Sequence, residues 1–219
     1  EKSKYKNWYK FTDFSKQLKI TEDMEEEEAS GILNENRENI KYSGWAGFAS
    51  LPEFNSYNPD FKNYIFNITK KWLLGPDAKA NGTWYEDDGI DGFRLDVPNC
   101  LENQDFWIEW REVVKETKKE SYITAELWGN GSSDINEGNK FDAVMNYEWL
   151  KVVIGYFINQ GYENKKNYKL KADEFLRELG EKRTWYPKQA FQASQNLNGS
   201  HDTDRLLSRI VNDRVGRDL

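Results

Sequence analysis

Three acidic residues follow short β-rich runs: Asp96 after "GFRL", Glu126 after "YITA" and Asp202 inside "NGSHD". Two of them have a polar neighbour of a useful kind: Arg94 stands two residues before Asp96, and His201, the only histidine, directly precedes Asp202. Carboxylates gathered in one cavity can divide the work of nucleophile, general acid and general base, provided that their environments differ. The same four side chains, Asp96, Glu126, His201 and Asp202, could instead ligate a metal. A lone histidine, with neither His-x-His nor His-Glu-x-x-His spacing, argues against a catalytic transition-metal centre.

What could bring these acids together is the pattern around them. In "IDGFRLD" (90 to 96) the residues alternate, with Gly92, Arg94 and Asp96 on one side and Phe93 and Leu95 on the other. The same count puts Thr124 and Glu126 on one face of "SYITAELW" (121 to 128), and Ala125 and Leu127 on the opposite one. "KFDAVMNY" (140 to 147) and "QNLNGSHD" (195 to 202) are further strand candidates. Between them lie helical periodicities. "NPDFKNYIFNITKKWLLGP" sets Phe61, Tyr64, Ile65, Ile68 and Trp72 on one stripe, with Asn58 as N-cap, Pro59 at the first helical position and Gly75-Pro76 as the stop. "NQDFWIEWREVVKETKK" repeats the spacing through Phe106, Trp107, Trp110, Val113 and Val114. "EWLKVVIGYFI" reads as an apolar helix, and "KADEFLRELG" as one closing on Gly180. Strand alternating with helix predicts an α/β fold with a parallel sheet. In a parallel βα barrel the C-terminal ends of the strands share one mouth, so the acids at those ends converge.

Composition narrows the classes of function. The 219 residues are 32% charged, with a net charge of −7, so nothing electrostatic favours nucleic acid or an anionic membrane as partner. No apolar run approaches the roughly 20 residues of a membrane helix, and the N-terminal "EKSKYKNWYKF" has no signal-peptide core. One cysteine, Cys100, excludes an internal disulfide framework; this favours a cytoplasmic or periplasmic setting over a disulfide-rich extracellular one and leaves the compartment open. The acidic run "EDMEEEEA" (22 to 29) reads as a solvated face. Aromatic residues make up 15% of the chain, which suits sugar binding and ordinary cores alike.

The motifs "GFRLD" (92 to 96), "AELW" (125 to 128) and "SHDTDR" (200 to 205) resemble three signature motifs of the α-amylase family, glycoside hydrolase family 13. "FDAVMNY" (141 to 147) and "GFRLDVPN…FWIEWREVVK" resemble its neopullulanase and cyclomaltodextrinase branch more closely, "LPEFN" (51 to 55) resembles that family's extra motif in the protruding domain B, and the likeness runs from about residue 42 to the end. The resemblance implies a partial (β/α)8 TIM barrel of about strands 4 to 7. Residues 1–58 would be the C-terminal part of a domain B-like insertion, and 59–219 part of the catalytic barrel. A full barrel takes about 250 residues. The family's Asp-x-x-x-Asn-His motif is absent, so the chain reads as an internal piece of a longer protein, expected to be poorly stable and weakly active by itself.

By position, the resemblance makes Asp96 the nucleophile, Glu126 the general acid/base and Asp202 the third carboxylate, holding sugar hydroxyls. Arg94, His201, Trp128 and Asn99 fall at substrate-binding positions, Trp128 being equally suited to walling the mouth. Cys100 departs from the charged or imidazole side chain usual at its position. The implied reaction is retaining hydrolysis of α-1,4-glucosidic bonds in maltooligosaccharides, cyclodextrins or related α-glucans. It needs an ionised and a protonated carboxyl about 5 to 5.5 Å apart. Arg94 beside Asp96 favours the ionised form there, whereas Glu126 has no cation near it in sequence and suits the protonated role. Transglycosylation, α-glucosidase specificity and a non-catalytic carbohydrate-binding barrel are the alternatives; retention of all three acids counts against the last. No cofactor is required on this reading, and calcium is left open, because much of its usual site lies in segments absent from this chain. Oligomeric state is not legible.

Overall fold

The structure, a computed structural model, describes residues 3–10, 42–48, 50–75, 89–158 and 169–212. The acidic run at 22–29 and Pro76 lie outside them. Helix α1, Pro59–Leu74, starts as its sequence requires: the Asn58 side chain accepts the Phe61 N–H at 3.0 Å, and proline holds the first position, where no amide partner is needed. It ends at Gly75, whose φ of 78° and whose N–H to the Lys71 carbonyl, at 3.0 Å, turn the chain away.

The buried face of α1 differs from the predicted stripe. Phe61, Thr69 and Leu73 are buried, with Ile65 packed beside them, while Tyr64 and Trp72 are exposed. The reason is polar. Thr69 faces inward because its hydroxyl accepts the Trp110 indole N–H at 2.8 Å, which selects a row spaced by four residues and turns Trp72 to the surface. Trp110 belongs to helix α2, Asp105–Thr117, which buries Phe106, Trp110 and Val114 as its periodicity demands.

Four strands, β1 Gly92–Leu95, β2 Tyr122–Ala125, β3 Ala143–Asn146 and β4 Gln195–Asn196, form one parallel sheet in chain order. The register pairs Arg94 with Thr124, Thr124 with Ala143, and Met145 with Gln195. Alternation then sorts the side chains as the sequence implies. Ile123, Ala125, Leu127 and Val144 enter the core cluster with α1 and α2, and Phe93 and Leu95 pack against it. Arg94, Thr124, Glu126 and Met145 take the opposite face. Gly92 is required by close approach: a Cβ there would lie 1.9 Å from the Tyr122 carbonyl oxygen on the neighbouring strand.

Asp142 ties α2 to the sheet. Its carboxylate meets Arg111 at 2.7 Å and Lys115 at 2.7 Å, and accepts the Ile123 N–H at 2.9 Å. Burial works against its charge, but these donors outweigh burial and hold its pKa below the usual carboxylate value.

Elsewhere the elements depart from expectation. The one-turn helix α3, Ser132–Ile135, was too short to show a period. After β3, α4 covers Tyr147–Val153 and then widens into a π-helical turn, Ile154–Ile158. Helix α5, Ala172–Arg183, runs through Gly180 rather than closing on it; with no chain packed near its Cα, that glycine costs the helix only propensity. Helix α6, Lys188–Ala193, precedes β4, and α7, Leu206–Asn212, follows the last turn. Strand β4 stops at Asn196, so Asp202 stands in a turn beyond it and not at a strand end.

Candidate active site

Asp96 is the first residue past β1, and its side chain is exposed. Behind it the backbone is strained. Val97 has φ 35° and ψ 56°, a left-handed conformation that a β-branched residue adopts at a cost of about 1–3 kcal/mol. Neighbouring donors hold that bend: the Trp107 indole N–H donates to the Pro98 carbonyl at 2.9 Å, and Gln104 Nε2 donates to the Leu101 carbonyl at 2.5 Å.

Arg94 connects the two carboxylates. Its Nη1 lies 2.5 Å from Asp96 Oδ1 and its Nη2 2.7 Å from Glu126 Oε1, while Nε donates to Met145 Sδ at 3.1 Å. Burial opposes the charge on this guanidinium, yet the hydrogen bond to Asp96 and the charges of Glu126 and Asp96 hold its pKa above the ordinary arginine value. Sequence neighbours place a cation beside Asp96 alone; the fold sets the same cation against Glu126 as well. The two acids still differ in exposure. The Asp96 side chain is 67% accessible and open to attack an incoming atom, whereas Glu126 is 2% accessible. Glu126 continues the ladder of β2, its N–H donating to the Leu95 carbonyl at 3.0 Å, so its position is set by the sheet.

Tyr147, the first residue of α4, is buried, and its hydroxyl lies 3.1 Å from both Glu126 Oε1 and Ser200 Oγ. Burial, then the neighbouring Glu126, raises its pKa, against the opposing effect of Ser200. Ser200 opens the turn that carries the third acid. Its N–H donates to Thr203 Oγ1 at 2.8 Å, and its Oγ accepts the Asp202 N–H at 3.1 Å. His201 Nε2 lies 3.1 Å from Asp202 Oδ2. A continuous polar chain therefore runs from Asp96 through Arg94, Glu126, Tyr147 and Ser200 to Asp202 and His201, although the acids are far apart in sequence. Beside it a cavity of about 520 Å³ is lined by Asn198, Gly199, Ser200, His201, Arg205 and Leu206.

Trp128 lies flat on the Tyr147 ring, with centroids 4.0 Å apart and planes 16° from parallel, and keeps 43% of its surface accessible. Asn99 does not join the network. It is exposed in the short 3-10 turn Pro98–Cys100, its carbonyl 3.5 Å from Gln104 Nε2. Tyr147 and Ser200 were not among the residues singled out from sequence. A signal existed for Tyr147: it follows β3 as Asp96 follows β1 and Glu126 follows β2, and the period of two assigns it to the same face. Among the described residues, no group of three or more His, Cys, Asp and Glu side chains is placed to share a metal ion.

The arrangement offers an accessible carboxylate beside a buried carboxyl group held by an arginine and a tyrosine. That pairing can attack an electrophilic carbon while delivering a proton to the departing oxygen. Comparison with known proteins points the same way. The family described as "Alpha amylase, catalytic domain" matches residues 1–218, so the likeness reaches the first residue and not only position 42. A cyclomaltodextrinase from Bacillus sp is 35% identical over 214 residues, covering 98% of this chain and 31% of that protein. An amylopullulanase from Thermoanaerobacterium thermosulfurigenes is 36% identical over 182 residues, 76% of this chain and 9% of its own length. Among solved structures, the debranching enzyme from Nostoc punctiforme superposes with a TM-score of 0.72 at 29% identity, over 98% of this chain and 40% of that one. This chain spans less than a third of either curated relative's length. Its four parallel strands and their helices are part of a (β/α)8 barrel, and the chain belongs to the α-amylase family.

Proposed function

We propose that the protein is a retaining glycoside hydrolase that cleaves α-1,4-glucosidic bonds in maltooligosaccharides, cyclodextrins or related α-glucans. Asp96 attacks the anomeric carbon, Glu126 protonates the leaving oxygen and later takes a proton from water, and Asp202 with His201 holds sugar hydroxyls. Arg94 keeps the two reacting carboxyl groups together. The single observation that carries this reading is the Arg94 fork, which binds an exposed Asp96 and a buried Glu126 through its two terminal nitrogens at 2.5 and 2.7 Å. Two acids on one planar guanidinium are close enough to serve one glycosidic bond. The names of the cyclomaltodextrinase and the amylopullulanase support an α-glucan as substrate.

Trp128 and Asn99 are assigned to the edges of the cleft. Residues 1–58 are assigned to the end of an inserted domain B and residues 59–219 to the barrel, a division supported by the start of α1 at Pro59. The experiment is hydrolysis of cyclodextrin, starch and pullulan by the full-length protein, with the anomeric form of the first product followed by NMR. Products released first as the α-anomer are expected. Release of the β-anomer would replace the double displacement by a single inverting step.

A further inference from the structure

Glu126 is held by more than its own strand, and the way it is held specifies which of its oxygens does the work. The oxygen Oε1 accepts the Tyr147 hydroxyl at 3.1 Å and is ion-paired with Arg94 Nη2 at 2.7 Å. Both contacts fall on the same oxygen, so the hydrogen bond and the nearest positive charge both act on Oε1. Among the described residues no donor is placed on Oε2.

The direction of the hydroxyl chain follows from hydrogen counting. Arg94 has no acceptor and can only donate. An ionised Glu126 has no hydrogen, so the single hydrogen of Tyr147 points to Oε1. Tyr147 then accepts from Ser200, whose Oγ accepts the Asp202 N–H at 3.1 Å. The Asp202 N–H, Ser200 and Tyr147 form one run of three donors aimed at Glu126 and anchored in the backbone of the turn that carries His201 and Asp202. When Glu126 is neutral, a proton on Oε1 would face the Arg94 cation and the Tyr147 hydrogen, whereas a proton on Oε2 faces neither.

We propose that Tyr147 is a positioning residue for the acid/base, engaging Oε1 on the side of its ion pair with Arg94 and so leaving Oε2 as the oxygen that carries the catalytic proton. In the first step the Oε2–H bond breaks and its proton joins the leaving glycosidic oxygen. That oxygen takes the electron pair of its bond to the anomeric carbon as Asp96 forms the new one. In the second step water attacks the anomeric carbon, the bond to Asp96 breaks with its electron pair returning to the carboxylate, and Oε2 recovers a proton from that water. Trp128, stacked on the Tyr147 ring, keeps the phenol in this orientation. The proposal rests on the reading of Glu126 as acid/base.

The test is Y147F in the full-length protein, with kcat/KM measured on maltooligosaccharides and on an α-glucosyl fluoride, whose leaving group needs little protonation. The loss on the natural substrate is expected to be about 10- to 100-fold, the range for one hydrogen bond to a charged group. The loss on the fluoride is expected to be clearly smaller. S200A should give a weaker loss of the same kind, and S200A combined with Y147F no more than Y147F alone, because both interrupt one chain. Equal losses on both substrates, or additive losses in the double variant, would overturn the proposal. If Y147F does not fold, the substrate ratio of S200A decides: an unchanged ratio overturns the proposal. E126Q measured alongside separates the two claims. If E126Q discriminates between the substrates and Y147F does not, Tyr147 alone loses its role; if neither does, the acid assignment itself falls.

Discussion

At the residue scale, the site depends on two acids of the same chemistry being placed in different surroundings. Asp96 stands out in solvent past a strained Val97, while Glu126 is enclosed by the sheet, Arg94 and Tyr147. That difference was legible in part. Alternation set Arg94, Asp96 and Glu126 on one face, and the fold keeps them there. The pairing of Arg94 with Glu126 was not legible, because it crosses from β1 to β2 and no local pattern specifies where a long side chain's second nitrogen will reach. Tyr147 escaped notice for another reason: a tyrosine in an apolar run reads as core, and half of its role is indeed core packing. If Glu126 is the proton donor, E126Q is expected to lose about 10²- to 10⁴-fold in kcat/KM on maltooligosaccharides, the usual worth of general acid catalysis. It should keep most of its kcat/KM on an α-glucosyl fluoride, because kcat/KM reports the first step, which there needs little protonation. Equal losses on the two substrates would remove Glu126 from that role.

At the scale of elements, the acids are aimed by a sheet whose strands are short and whose register is kept by the helices. Asp142 shows how. It joins Arg111 and Lys115 of α2 to the amide of Ile123 in β2, so the helix and the strand bearing Glu126 move together. Because its pKa is lowered in the folded state, Asp142 stabilises the fold fully above its unfolded value, near 3.9 for an ordinary aspartate. That contribution is lost as pH falls through the lower folded value. D142N is therefore expected to cost about 2 kcal/mol at neutral pH, with the gap to the unaltered protein narrowing on acidification. Chemical denaturation of both proteins across that range measures it; a gap independent of pH would contradict the assignment. Helix α1 was legible at both ends, through Asn58, Pro59 and Gly75, but not in its face, since an inward threonine paired to Trp110 has no apolar signature. The last strand was over-read for a related reason. "QNLNGSHD" alternates only briefly, and after Asn196 its polar residues bond to one another in a turn, Ser200 to Thr203 and Asp202 to Ser200.

At the scale of the whole molecule, one polar chain joins residues from β1, β2, α4 and the turn before α7 into a single site. The α-amylase family supplies the frame: a parallel sheet with its apolar helices on one face and its chemistry on the other, at the ends of the strands. The ordered set of three motifs made that frame legible, whereas each motif alone would have read as a turn or a cap. The claim on which the rest depends is that Asp96 forms a bond to the sugar. A 5-fluoro-α-glucosyl fluoride, turned over by the full-length protein and followed by peptide mass spectrometry, tests it directly. The expected result is a glycosyl adduct on the peptide containing Asp96 and specifically on that residue. An adduct on any other carboxylate, Glu126 or Asp202 included, would contradict it.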